Sequence, residues 1–536
     1  MAKDPSVFNQ PSAGTVTHDE PPPGLQSGGK TFFGHPVGLS TLFFTEMWER
    51  FSYYGLRPLL VLFMAAALTD GGFGFERGQA SAIVGIYGFS VYLASLPGGW
   101  VADRLLGLQR AILVGACFIT AGHLSIGLSG LAGPGGGKVP FFLGLVLIVM
   151  GTGLLKPNIS AIVGDLYPEG GSRRDAGFSV FYMGINTGAF AGQLITGALG
   201  EKVGWHWGFG AAGVGMLIGL VVFYTRRAKT LQGIGTSPTR LADPVAQARR
   251  ERTVKLTLTV GLAVIALVFL LTTIGTITID AQAVGQSMVY LTLAMVSLFF
   301  IYVFVAGGLS SDEKKRIGVI FVLFVFAVVF WGAFEQAPTS LNLFAADFTD
   351  RDIGGFEVPA TWFQSVNAFF VILLAPVFAL IWLALGRRNR DFSSPGKFSL
   401  GLGTAAIGFF LMIFAARAVV AGGPGTLVSP WWLVGSYFFQ TVGELCLSPV
   451  GLSSMTKLAP RQYVGQMMGI WFTASGLGSL IGGLVGGHVD PEKLDQMPLL
   501  FQRTTISLVV AAVILALLSI PIRKMMREVP VKAHRA

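Results

Sequence analysis

The chain has 536 residues, 52% hydrophobic and only 12% charged, with mean hydropathy +0.65 and a formal net charge of +10. Soluble domains average about 25% charged residues, so composition excludes a soluble protein and implies one that crosses a membrane many times. The positive balance does not point to nucleic acid, because Lys and Arg collect in short loops between apolar segments.

Taken in chain order, residues 1–34 are rich in Pro, Gly, Ser and Thr and lack the apolar core of a signal peptide. They are expected to form a disordered cytoplasmic tail, leaving the first helix as an uncleaved anchor. Segments long enough for a span, which needs about 20 apolar residues, are predicted near 38–66, 78–102, 109–131, 140–166, 176–199 and 206–225. Two more follow near 254–275 and 285–307, then six near 317–346, 360–386, 398–419, 431–457, 464–488 and 501–522. With the N-terminal tail placed inside, the inside segments hold 28 Lys or Arg and the outside loops and helix ends hold seven. A missed or invented span would scramble that bias, so fourteen spans with both termini cytoplasmic are expected.

The longest basic loop, RRAKTLQGIGTSPTRLADPVAQARRERTVK, follows the sixth span and divides the chain. The expected organisation is a six-helix bundle over 35–226, the basic loop and an inserted lipid-facing pair over 227–316, a second six-helix bundle over 317–523, and a short tail over 524–536. A duplication supports it: KPNISAIVGDLYP and SPVGLSSMTKLAP both set two prolines eleven apart, Pro157 to Pro168 and Pro449 to Pro460. Transporters built from two such halves bind substrate at the midplane between them. The two cysteines, Cys117 and Cys446, lie in apolar runs and are read as small buried hydrophobes rather than a disulfide.

The first span, FTEMWERFSYYGLRPLLVLFM, carries Glu46, Glu49, Arg50 and Arg57 with Tyr53 and Tyr54 on one helical face. A charge at mid-bilayer costs roughly 2.5–3.5 kcal/mol on insertion scales, so partners are required. The apolar spans supply Lys156, Glu335 and Glu444. Three cations and four anions nearly balance, as pairing in a low-dielectric interior demands. Burial favours the protonated form of a carboxylate and a nearby cation the ionised form. A site whose cation can leave for a substrate carboxylate therefore exchanges protons. His123 reads as a packed histidine, not the carrier.

Asn186 and Asn367 each offer an amide donor and acceptor. Tyr53, Tyr54 and Tyr92 add hydroxyls, and Trp331, Trp471 and Ser475 are candidates for side-chain pockets. This company suits a small zwitterion. Asp103, Arg104 and Arg110, in GGWVADRLLGLQR, are positioned to tie helix ends together as a structural or gating loop. No HExxH, GxSxG or Cys/His cluster appears, so neither an enzyme nor a metal site is expected.

That loop is similar to the signature of the major facilitator superfamily. EMWERFSYYG (46–55) resembles the ExxERFxYYG motif of the proton-dependent oligopeptide transporter family, GGWVADRLLGLQRAILVGACFITAG (98–122) its helix 2–3 signature and FYMGINTG (181–188) its helix 5 signature. Thr187 is a small departure. The resemblance runs from about residue 35 to 523 and implies an all-α major facilitator fold of 14 spans, in the bacterial arrangement with an inserted pair.

It further implies a symporter of di- and tripeptides in the cell membrane, with the proton as coupling ion, no cofactor, and function as a monomer. By that resemblance Glu46, Glu49 and Arg50 form a proton-linked cluster with Lys156, and Glu335 is a second protonation site coupled to Arg57. Arg57 and Lys156 hold the peptide carboxylate, Glu444 its ammonium, and Asn186 and Asn367 its backbone. Tyr53, Tyr54 and Tyr92 line the cavity, while Trp331, Trp471 and Ser475 shape pockets. Symport of nitrate or a modified amino acid, and a non-transporting sensor, stand as alternatives, as does a tail that blocks the cytoplasmic mouth.

Overall fold

The computed structural model describes residues 31–132, 137–168, 171–388 and 392–527. The N-terminal tail through residue 30, and residues 528–536, lie outside the described residues. Residues 31–34, assigned above to the tail, belong to a hairpin of Thr31–Phe32 with His35–Pro36.

The first half comprises α1 (Gly38–Ala65), α2 (Arg77–Val101), α3 (Leu108–Leu128), α4 (Lys138–Asp165), α5 (Gly171–Lys202) and α6 (Trp205–Thr230). The inserted pair is α7 (Pro244–Thr273) and α8 (Ala281–Ala306). The second half comprises α9 (Ser311–Phe334), α10 (Asn342–Phe348), α11 (Trp362–Arg387), α12 (Ser394–Gly422), α13 (Trp431–Leu458), α14 (Val464–Val485) and α15 (Gln496–Arg527). Counting α9 and α10 as one broken rod gives fourteen long helices among the described residues. Eleven are long and apolar enough to cross a bilayer; the other three, α1, α5 and α13, carry candidate site residues. Both ends of the described chain emerge on the same face, termed near, opposite the far face.

Helix pairs approach closely where glycines face each other. On α3 and α4, a Cβ at Gly115, Gly122, Gly144 or Gly151 would fall 2.5–2.6 Å from the partner's backbone oxygen. Only glycine permits that approach, and small residues drive helix association in lipid for this reason. Between halves, α2 packs on α14 and α11 on α5. The second helix of each half thus meets the fifth of the other, as a two-fold duplication requires.

α7 starts with a capped turn: the Asp243 carboxylate accepts from the Val245 and Ala246 N–H groups at 2.9 and 3.3 Å, with Pro244 in the first turn. Beyond that start Val254 is its one buried residue, so its apolar surface faces lipid. Cys446 is buried but Cys117 is not; the expectation that both are buried is corrected, because Cys117 sits on the outer surface of α3, where lipid suits an apolar thiol equally well.

The span predicted as one helix over 317–346 is broken. α9 ends at Phe334, a π turn covers Ala337–Leu341 around Pro338, and α10 resumes at Asn342. Proline has no N–H to donate, so the wide turn accommodates it.

Candidate functional site

α1 presents its charged stripe inward, with Glu46, Glu49, Arg50 and Arg57 all buried. Arg50 Nε stands 3.2 Å from Glu46 Oε1 and also donates to the Glu49 carboxylate. One guanidinium therefore serves two anions. Tyr53 lies between the two arginines, its ring centroid 5.2 Å from the Arg50 guanidinium carbon and 5.9 Å from that of Arg57.

Arg57 reaches across the halves and forms an ion pair with Glu335, the cap residue that ends α9. Ser479 on α14 donates its hydroxyl to the same Glu335 oxygen at 2.8 Å. Glu444 on α13 accepts from Asn367 Nδ2 on α11 at 3.1 Å, and the same amide reaches Thr441 Oγ1 at 2.9 Å. One cavity is lined by Tyr54 and Arg57 of α1, Glu335 at the break, and Asn367 of α11. One charged residue from each half, Arg57 and Glu335, therefore meets in a shared chamber, and Glu335 faces Arg57 rather than lipid.

Other expected residues stand differently. Lys156 Nζ lies 4.4 Å from the Tyr92 ring centroid, a cation over an aromatic face, and pairs with no carboxylate among the described residues. Asn186 turns back on its own helix, donating to Tyr182 O at 3.0 Å. Trp331 packs against Phe334, with ring centroids 5.3 Å apart. Trp471 meets Phe398 at 6.1 Å, and Ser475 is buried one turn further along α14. Asp103 accepts from the Thr239 N–H through its carbonyl at 2.9 Å, and Arg104 lies 5.3 Å from the Trp100 ring. No ion pair of Asp103, Arg104 or Arg110 joins helix ends among the described residues. His123 is buried, with no partner at either ring nitrogen among the described residues, matching the packed histidine expected. Among the described residues no group of three His, Cys, Asp or Glu is placed to hold a metal.

Three kinds of residue escaped the sequence. Ser479 is one hydroxyl in an apolar, glycine-rich run, with no pattern to mark it. Gln193, Gln364 and Gln440 line the cavity, but a neutral amide in a span carries no charge to draw notice. The far-face seal was also missed. Arg77 pairs with Asp347, and Lys202 donates to Glu357 at 2.7 Å. The Glu201 carboxylate, at the end of α5, accepts from the N–H groups of Ala360 and Thr361 and from the Thr361 hydroxyl, at 2.8, 2.9 and 2.7 Å. It thereby caps the start of α11 from the opposite half. Trp362 Nε1 donates to Leu194 O at 2.8 Å, and Asn342 Nδ2 to Pro58 O at 2.7 Å. The far face is closed.

A model described as "POT family" matches residues 109–497. The peptide transporter YePEPT of Yersinia enterocolitica subsp. palearctica is 50% identical over 510 residues, covering 94% of this chain and 97% of that protein. A di-/tripeptide transporter of Lactococcus lactis subsp. lactis is 37% identical over 516 residues, covering 94% and 99%. The crystal structure of a peptide transporter, POT, in complex with sulfate matches with a TM-score of 0.84 at 40% identity, covering 93% of this chain and 97% of that one. Fold, motifs and relatives agree: the chain belongs to the POT family, on the major facilitator fold, and that is a family of transporters rather than enzymes.

Proposed function

We propose that this protein is a symporter that imports di- and tripeptides with protons by alternating access. The observation that carries the reading is the Arg57–Glu335 ion pair, a cation and an anion from opposite halves meeting in the chamber that Asn367 and Glu444 adjoin. The names of the relatives, a peptide transporter and a di-/tripeptide transporter, support the substrate class.

Protonation of Glu335 removes the charge that holds Arg57. A peptide carboxylate is then the group of matching charge and fork geometry to take its place. Lys156, resting over Tyr92, is the second cation for that carboxylate and exchanges partners with Glu46, Glu49 and Arg50. Glu444, oriented by Asn367, receives the ammonium. Asn186 and Asn367 meet the peptide backbone, Tyr53, Tyr54 and Tyr92 line the path, and Trp331, Trp471 and Ser475 bound the side chains. Asp103, Arg104 and Arg110 belong to the near-face gate.

The charge bias of 28 to seven supports a near face that lies in the cytoplasm, in an inner or plasma membrane. The protein works as a monomer in the bilayer, and the proton is its coupling ion. An inward proton supplies about 2.3 kcal/mol per 100 mV. In vesicles with an acidic exterior, labelled dialanine should accumulate, and an uncoupler should abolish the accumulation. Uptake indifferent to the uncoupler contradicts coupling. Glu335→Gln should keep counterflow exchange yet lose proton-driven accumulation; equal loss of both contradicts its role.

A further inference from the structure

One wall of the chamber is used by none of these roles. Gln193 of α5, Gln364 of α11, and Tyr437 and Gln440 of α13 line the same cavity as Arg57 and Glu335. Their exposures are 6%, 7%, 2% and 1%. Among the described residues Gln193 Oε1, Gln364 Nε2, the Tyr437 hydroxyl and Gln440 Oε1 have no hydrogen-bond partner, while Gln440 Nε2 donates to Ser436 Oγ at 2.9 Å.

Buried polar groups in folded proteins are almost always satisfied, and each exception calls for an explanation. Here four, from three helices and both halves, face one space. Packing does not account for that, since leucines would fill the volume without cost. An amide turned about its last bond exchanges oxygen for nitrogen, so the wall offers both donors and acceptors whichever way each glutamine is set. It offers no net charge, because its four groups are neutral and Arg57 is matched by Glu335 or, with peptide bound, by the peptide carboxylate. A carboxylate or ammonium would find no counter-charge on this wall. An apolar group would strip the four from water and return nothing. The complementary occupant is neutral and hydrogen-bonding.

We propose, resting on the peptide-symport reading above, that Gln193, Gln364, Tyr437 and Gln440 form a subsite for an uncharged polar side chain of the peptide, an amide or a hydroxyl. The subsite discriminates against apolar side chains of the same size.

The test is competition against labelled dialanine uptake in proteoliposomes by Gln-Ala, Ala-Gln, Met-Ala and Ala-Met. At one of the two positions glutamine should compete at least about tenfold more strongly than methionine, as sites built around hydrogen bonds reject analogues that lack them. Gln440→Met and Gln193→Met, nearly volume-conserving, should bring that ratio close to one. The ratio is taken within each variant, so a general loss of uptake does not imitate the effect. For a variant too weak in uptake, the same four peptides are compared by thermal shift of the purified protein. Equal competition in the unsubstituted protein, or a ratio unchanged in both variants, overturns the subsite and leaves the wall to water. Dialanine uptake without discrimination removes the subsite alone; absence of dialanine uptake removes the symport reading with it.

Discussion

Glu335 is held by two donors, Arg57 from the first half and the Ser479 hydroxyl from its own. Stripping water from a carboxylate costs several kcal/mol, so a single hydroxyl matters more here than at a surface. Ser479→Ala should weaken far-face closure by about 1–3 kcal/mol, seen as a growing long-distance population between spin labels at the far ends of α5 and α11. At the rim the balance differs. Lys202 donates to Glu357, and this bond, with Arg351 2.9 Å away, holds the Glu357 carboxyl below the usual carboxylate range. A lowered value means the contacts contribute fully above the ordinary value and fade only as pH falls through the lowered one. Glu357 therefore stays ionised wherever the transporter works. Its side chain is 57% exposed, so the pair is worth under about 1 kcal/mol. Glu357→Gln should leave the pH profile of uptake unmoved between about pH 5 and 8; a displaced midpoint in the uptake assay would contradict this.

α2 and α14 meet with almost no side chain between them: a Cβ at Gly483 would lie 2.6 Å from both Gly85 Cα and Ser81 O. Gly483→Leu should therefore hold these helices apart at the far face. Dialanine counterflow would be lost while the protein remains folded, as judged by a sharp unfolding transition. Helix positions were largely legible in the sequence, because a span must be long and apolar and the loops between spans carry charge. The break between Phe334 and Asn342 was not. Pro338 was in view, but the apolar run before it reads as an unbroken span. Charged site residues were legible for the same reason, since charge within an apolar run stands out. Arg57 pairs with Glu335, as the resemblance implied, whereas the Asn367–Glu444 bond was not expected. Gln193, Gln364, Gln440 and Ser479 were not found, because a neutral polar residue in a span differs little from the small residues that pack helices. The cap of α11 by Glu201 joins positions 159 and 160 residues apart, a relation no local pattern contains.

Across the molecule, the seal between halves links several elements at once: Arg77 to Asp347, Glu201 to the start of α11, Trp362 to Leu194 and, deeper, Arg57 to Glu335. Opening must break these together. A Cβ at Gly197 would stand 3.1 Å from Thr361 Cβ, close to the roughly 3.5–4.5 Å of disulfides. With Cys117 and Cys446 replaced by serine, the pair Gly197→Cys and Thr361→Cys should cross-link on oxidation and stop dialanine uptake, and reduction should restore it. Uptake that persists through quantitative cross-linking would show that the far face need not open. An unbroken rod of 38 residues over Ser311–Phe348 would carry every tilt of one end stiffly to the other. The wide turn two residues past Glu335 interrupts that rod. On the proposed mechanism, release of Arg57 would leave the stub beyond the turn free to swing while the shaft stays seated, gearing the neutralisation of a single oxygen to movement of the distant mouth.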